Sequence, residues 1–286
     1  GIMRLFNREK ILLKVIDELD RKGVHSRTAI VKIPFLLRYE YSVDQYINSF
    51  YSFFPYKYGP FSEQLFGDLR HLKNLGLLDE SETSLTEQGK QYLNDNKIGF
   101  NVPVHNLVER FKGKDDLIKY IYNKYPEFTV KSELNKNKDN LKVSSPGFYT
   151  IGYEKRDIDQ FLSLLIENEI QVIVDVRKNP FSMNFSFINN KLKDHLKKID
   201  IQYIHFPELG VESEDRKNLN SKKDYLRLFE RYRDELPLKN QKLNEVIALG
   251  KQERIALMCF ERDHSFCHRG VIAEFLRKQK LKVIDL

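Results

Sequence analysis

The chain has no tryptophan, two cysteines and nine prolines in 286 residues. No apolar run approaches the ~18 residues of a membrane-spanning helix, so no membrane partner is expected. Two cysteines in one short segment cannot form a disulfide framework, and a reducing, cytoplasmic setting is expected. No signal-peptide pattern opens the sequence, and Gly1-Ile2 reads as a cloning remnant ahead of a native start at Met3. What the chain does have is 20 Phe, 15 Tyr and a hydrophobic share of 41%. That is enough apolar bulk for two modest globular domains, at ~100–200 residues each. The net charge of +7 leans toward a polyanionic partner. The excess is divided between both halves with no basic tract, so a solvated mixed surface explains it equally well.

The most informative stretch is residues 254–277. It opens with the apolar run Ile255–Met258, of the length of a buried strand, and closes with Val271, Ile272, Phe275 and Leu276 at helical spacing. The turn between them holds Cys259, Glu261, Asp263, His264, Cys267, His268 and Arg269 within eleven residues. A turn that merely reversed the chain would carry Gly, Pro, Asn or Ser instead. Ligands of open α/β sheets sit beyond the carboxyl ends of strands, where helix N-termini also point. This turn is therefore read as the floor of a site.

Residues 4–100 read as a winged-helix domain that binds DNA or protein. An amphipathic helix is predicted over 6–22, then helices over Arg27–Arg38 (with Pro34 shortening or kinking it) and Ser42–Phe53. A Pro/Gly-rich turn follows, and Ser62 caps a helix over Glu63–Leu75. A short hairpin at Leu77-Leu78 and Leu85-Thr86 leads to a last helix over Glu87–Leu93. Helix, turn, helix and hairpin is the winged-helix order. Glu63–Leu75 is then the candidate recognition helix, offering Gln64, Arg70, Lys73 and Asn74 to DNA. Glu63 and Asp68 on the same helix would repel phosphate, and many winged helices bind protein instead. Residues 101–130 are expected to form a helical extension broken at Gly113, and the Lys/Asn/Ser-rich stretch 131–147 a linker.

From residue 148 to 286, five predicted strands alternate with helices: an α/β domain with a mostly parallel, Rossmann-like sheet covered by helices. The strand ends carry Gly152-Tyr153-Glu154, Asp175-Val176-Arg177, Pro207–Gly210 and Cys259–Glu261. Four polar loops converging on one rim is the strongest sign of a site. Asp175 stands in an apolar strand with Arg177 two residues on, on the same face. The two form either a structural salt bridge or an acid beside an anion-binding guanidinium. Glu261 suits a general acid or base. Cys267, His268 and Arg269 open the last helix, where a thiolate or bound anion is favoured. Cys267 reads as a packing residue or nucleophile, His268 as a proton shuttle or helix-start hydrogen bonder. Arg269 reads as a phosphate ligand. Cys259, His264, Cys267 and His268 are zinc-type ligands, but adjacent Cys267-His268 and a single-segment origin argue against zinc. No metal and no cofactor are expected.

The wording "YGPFSEQLFGDLRHLKNLGLL" followed by "LTEQGKQYL" resembles the winged-helix segments of phage-associated antitoxin-type proteins, a group called Panacea, over about residues 5–95. "YTIGYEKRDIDQFLSLLIENEIQVIVDVRKNPFSMNF", "IQYIHFPELG" and "ALMCFERDHSFCHRGVIAEFL" resemble the family called domain of unknown function 488, over about residues 148–285. The family's motif positions fall on Thr150-Ile151-Gly152, Asp175-Val176-Arg177, Pro180, Ser182, Leu209-Gly210, Glu261 and Cys267-His268-Arg269. Val211 stands where the family often has a second glycine. The resemblance implies nucleic-acid modification or bacterial phage defence.

Three functions follow. The first is a DNA-directed hydrolase, with N-glycosidic cleavage favoured narrowly. It would use Asp175, Glu261, Cys267 and His268 for chemistry, Arg177, Ser182 and Arg269 for phosphate, and Tyr153 to stack on a base. The second is a rhodanese- or phosphatase-like enzyme with Cys259 as nucleophile; its loop lacks the glycines and spacing of an oxyanion cradle. The third is a non-catalytic sensor of DNA or modified bases.

Overall fold

The computed structural model describes residues 3–133 and 144–286. Gly1-Ile2 and most of the expected linker lie outside them. The chain divides into two compact units, Gly1–Asn140 and Leu141–Leu286.

In the first unit, α1 (Asn7–Arg21) buries Ile11, Leu12, Val15, Ile16 and Leu19, the stripe expected from the sequence. Ser26 caps α2 (Arg27–Tyr41). This helix carries Pro34 in its interior and continues past Arg38, so the proline does not shorten it. It stops at Ser42, whose φ of 51° is left-handed. The helix expected over Ser42–Phe53 does not form. Only a 3-10 turn at Val43–Gln45 appears, because Phe50, Tyr51 and Phe53 are each drawn into the core. Phe53 meets Phe35 edge-on, and Arg38 Nη1 donates to the Tyr51 carbonyl at 2.9 Å. Aromatic burial outweighs the local helical pattern here.

The following segment, expected to be a plain turn, is an antiparallel hairpin of β1 (Phe54–Tyr56) and β2 (Gly59–Phe61). Its tight reversal needs the left-handed φ of 93° at Gly59. Ser62 Oγ accepts from Leu65 N at 3.2 Å and starts α3 (Glu63–Asn74). Leu78 and Leu85 pair as an isolated antiparallel bridge before Thr86 caps α4 (Glu87–Asp95). Helices α5 (Asn101–Arg110) and α6 (Lys114–Lys124) place Val104, Leu107, Leu117 and Ile121 in the same core as α1 and α2. Residues 101–130 are integral to this unit, not an extension of it.

The second unit is the expected α/β fold. Strands β3 (Gly147–Gly152), β4 (Val172–Asp175), β5 (Gln202–His205), β6 (Arg254–Cys259) and β7 (Val283–Asp285) form one parallel sheet in the order β5-β4-β6-β3-β7. Helices α7 (Ile158–Glu167), α8 (Asn189–Lys198), α9 (Lys222–Glu235), α10 (Asn240–Gln252) and α11 (His268–Lys278) cover it. Val172, Val174, Ile255, Leu257 and Cys259 share a core with apolar residues of α9, α10 and α11. The alternate residues Ile173, Ala256 and Met258 are equally buried and point to the opposite face. The registers Gly152↔Cys259 and Asp175↔Met258 bring three strand ends together at the middle of the sheet. No helix among the described residues is long and apolar enough to cross a membrane.

Candidate functional site

The rim expected as one site resolves into two clusters. The first is built on the β4 end. Asp175 is fully buried and takes Arg177 Nε at 2.9 Å and Nη2 at 2.7 Å, with the Arg177 backbone N–H at 3.0 Å. Tyr203 Oη donates to the same carboxylate at 2.6 Å. Arg177 Nη1 donates to Tyr153 Oη at 3.1 Å and to the Phe187 carbonyl at 2.8 Å. Burial opposes the Arg177 charge, but Asp175 outweighs it and holds the guanidinium's pKa above its ordinary value. Burial and the adjacent Asp175 charge push the Tyr203 phenol up. Asp175 is thus an orienting carboxylate held in a saturated network. Arg177 is correspondingly committed to the protein. Tyr153 is only 4% exposed and stacks on Phe187 with ring centroids 4.4 Å apart. Its ring is already covered where a base was expected to lie.

The second cluster surrounds the β6 end. Cys259, Cys267, His268 and Arg269 are all buried. Cys259 and Cys267 are joined through their sulfurs as a disulfide, with Cα atoms 7.1 Å apart. His268 Nε2 donates to the Val176 carbonyl at 2.7 Å. That bond leaves Nδ1 as the unprotonated nitrogen, 3.8 Å from Cys267 Sγ. Burial pushes the His268 pKa down to about 3, so the ring is neutral at physiological pH and not a ready proton shuttle. Arg269 Nη1 lies 3.1 Å from Cys259 Sγ and also donates to the Glu261 carbonyl. Nη2 donates to the Arg262 carbonyl at 3.1 Å. Its Nε is buried with no hydrogen-bond partner. Burial lowers the Arg269 pKa to about 10. Arg269 therefore clamps the loop that carries Glu261.

Glu261 is held by that clamp and by Gly152. A Cβ on Gly152 would fall 1.8 Å from the Glu261 carbonyl oxygen, so only glycine admits the loop at this strand end. Burial raises the Glu261 pKa. Its Oε2 is 3.8 Å from Cys259 Sγ, and it lines a cavity of about 240 Å³ with Arg216, Tyr225, Phe266, Cys267 and His268.

A second cleft, of about 570 Å³, shares Val211 and Arg216 with that cavity. Its walls include Lys155, Arg156, Lys178, Phe181, Ser182 and Phe260. Ser182 Oγ accepts from Asn184 N at 3.1 Å and shapes the loop. Phe181 and Phe260 expose their rings, at 65% and 44%. Gly210 is pressed against Lys178, whose backbone nitrogen lies 2.3 Å from where a Cβ would be. Val211 is buried and fills the wall common to both hollows.

Arg216, Tyr203, Lys155, Arg156 and Lys178 were not legible as site residues. Tyr203 has the strand alternation as a faint signal, since it is two residues from His205 on β5. Arg216 sits in a polar segment with no pattern to mark it. His264, named among the possible zinc ligands, instead faces Asp285 at 3.5 Å.

In the first unit, Arg70 and Asn74 are exposed on α3. Lys73 pairs with Glu82 at 3.1 Å, and Gln64 Nε2 donates to Asp68 at 3.1 Å. Asp68 is buried and neutralised by Arg8 at 2.8 Å, with Tyr51 Oη donating to it at 2.5 Å. The phosphate repulsion expected from Asp68 is therefore absent.

No curated protein and no solved structure matches the chain. Residues 157–276, which span the β4 end, Glu261 and the start of α11, match the family model described as Domain of unknown function DUF488, in support of the resemblance of the second unit.

Proposed function

We propose that the protein is a nucleic-acid-directed hydrolase that acts on an N-glycosidic bond, with Glu261 as the general acid. The observation that carries this reading is a desolvated carboxyl beside a cleft that is both cationic and aromatic. Burial raises the Glu261 pKa, so it holds its proton more readily than an exposed carboxyl does. The adjoining cleft offers Lys155, Arg156, Lys178 and Arg216 to phosphates, and Phe181 and Phe260 as stacking surfaces. Glu261 works alone, since Asp175 is occupied by Arg177 and Tyr203.

The first unit supplies a second, weaker contact in this account. Its helix order and the bridge after α3 suit a winged helix, with Arg70 and Asn74 as the residues free to meet DNA. A bacterial DNA-modification or phage-defence role is consistent with the resemblances of both halves. The thiol-enzyme reading is less well supported, because Cys259 is wholly buried beneath Cys267 and Arg269.

Binding of modified and unmodified DNA, duplex and single-stranded, across a salt series tests this. Affinity should fall steeply with salt, and Lys155→Gln with Lys178→Gln should weaken it and flatten the slope. Binding that is absent even at low salt would overturn the nucleic-acid assignment.

A further inference from the structure

We propose that Cys259, Cys267 and His268 form a three-ligand site for one divalent, thiophilic metal ion of the zinc class, open on the side of the Glu261 cavity. This runs against the expectation from sequence, where adjacent Cys267-His268 argued against zinc. It does not rest on the glycosidic reading.

The geometry carries it. The two sulfurs and an imidazole nitrogen all lie within 4.8 Å of one another, and all three residues are buried. A tetrahedral ion with bonds of ~2.3 Å to sulfur and ~2.0 Å to nitrogen separates its ligands by roughly 3.3–3.8 Å. Cys267 Sγ and His268 Nδ1 are already 3.8 Å apart. The Cys259–Cys267 bond must first be reduced by an external thiol, which supplies two electrons and two protons and leaves as its own disulfide. The ion then displaces the two thiol protons and binds the thiolates. The Cα atoms of the two cysteines, 7.1 Å apart, leave room for it, since a disulfide ordinarily spans ~4.4–6.8 Å.

The surroundings are those of a ligand set. The Nε2–H bond to the Val176 carbonyl at 2.7 Å fixes the ring and turns the Nδ1 lone pair toward the sulfurs. Arg269 Nη1 at 3.1 Å from Cys259 Sγ, and the position of Cys267 at the N-cap of α11, both favour thiolates. The adjacency that counted against zinc is accommodated because Cys267 is extended (φ −133°, ψ 144°) while His268 begins the helix. Their side chains therefore converge. Arg216 Nη2, 3.4 Å from His268 Nδ1, sits on the same face and is carried by an exposed turn from which it can swing aside. Two thiolates, a neutral histidine and an open fourth position make up a catalytic type of zinc site, not a closed structural one. Cys267, His268 and Glu261 line the same cavity, so the open position faces Glu261.

The test is metal content of the full chain purified under reducing conditions, followed by cobalt substitution. One zinc per chain and a thiolate-to-cobalt charge-transfer band are expected. Cys259→Ser, Cys267→Ser and His268→Asn should each lose most of the metal, whereas His264→Asn, on the same turn, should keep it. Because those substitutions lie in the core, the wild-type chain provides a second readout. Zinc should protect both cysteines from alkylation, and a chelator should expose them. The proposal is overturned if the reduced wild-type chain takes up neither zinc nor cobalt. It is equally overturned if peptide mapping finds Cys259 and Cys267 joined as a disulfide under those conditions, or if His264→Asn loses metal as fully as His268→Asn.

Discussion

Asp175 and Arg177, two residues apart at the end of β4, form a buried pair whose Nη2–Oδ2 distance is 2.7 Å, sealed by Tyr203 and Tyr153. A pair this enclosed is worth little relative to an apolar replacement, but breaking it strands a charge. Asp175→Asn should lower the stability of the second unit by ~3–5 kcal/mol, read as a shift in its urea midpoint. Arg177→Met should cost a similar amount, and the double replacement less than the sum of the two. A single-variant loss below ~0.5 kcal/mol, the size of an ordinary surface change, would contradict the assignment.

Glu261 gives a pH signature. Its pKa is raised by burial, so the fold prefers the protonated form. The stability linked to it is complete below the unfolded value of about 4.3 and is lost as pH rises through the higher folded value. Glu261→Gln should remove that decline, leaving the variant relatively more stable at neutral than at acid pH. Parallel wild-type and Glu261→Gln stability curves would show that the carboxyl is not perturbed.

Lys32 lies 2% exposed in the middle of α2, and burial alone lowers its pKa to about 7. Between that value and the unfolded ~10.4 the unfolded chain binds more protons, so stability of the first unit should rise with pH across that window. Lys32→Met should stabilise this unit by ~2–4 kcal/mol at neutral pH and abolish the rise. Thermal unfolding at a series of pH values measures both, and a destabilised Lys32→Met would contradict the account.

Gly152 is tested by one methyl group. Because its Cβ would meet the Glu261 carbonyl at 1.8 Å, Gly152→Ala must move the Glu261 loop or the β3 end. The variant should lose stability by more than ~1 kcal/mol, as overpacked sites do. Ligand binding at the cavity should weaken with it. Unchanged stability and binding would mean the close approach is not required.

Much of this architecture was legible in the sequence. The alternation of short apolar runs with amphipathic stretches from Phe148 onward marked every strand and helix of the sheet, because a parallel sheet buries both faces of its strands. The helix cap Ser62 was legible because a hydroxyl just ahead of a helical stripe can take an unpaired N–H of the first turn. What failed was tertiary. Ser42–Phe53 read as a helix, yet its Phe50, Tyr51 and Phe53 are each anchored separately in the core. Asp68 read as an exposed charge, and the pairing of Asp175 with Arg177 was legible but not its closure, because the further partners Tyr203, Arg8 and Tyr51 lie 28, 60 and 17 residues away. Arg216, which lines both hollows, has no pattern at all around it.

The assignment of Glu261 as the acid of a nucleic-acid-directed hydrolase is tested most directly by free-base release from DNA. Wild-type protein and Glu261→Gln should be compared on modified and unmodified DNA, with binding measured in parallel. Base release by the wild type, its loss by at least ~100-fold in Glu261→Gln, and retained binding in both are expected. Wild-type protein that binds DNA and releases no base would contradict that assignment, and would leave a sensor in place of an enzyme.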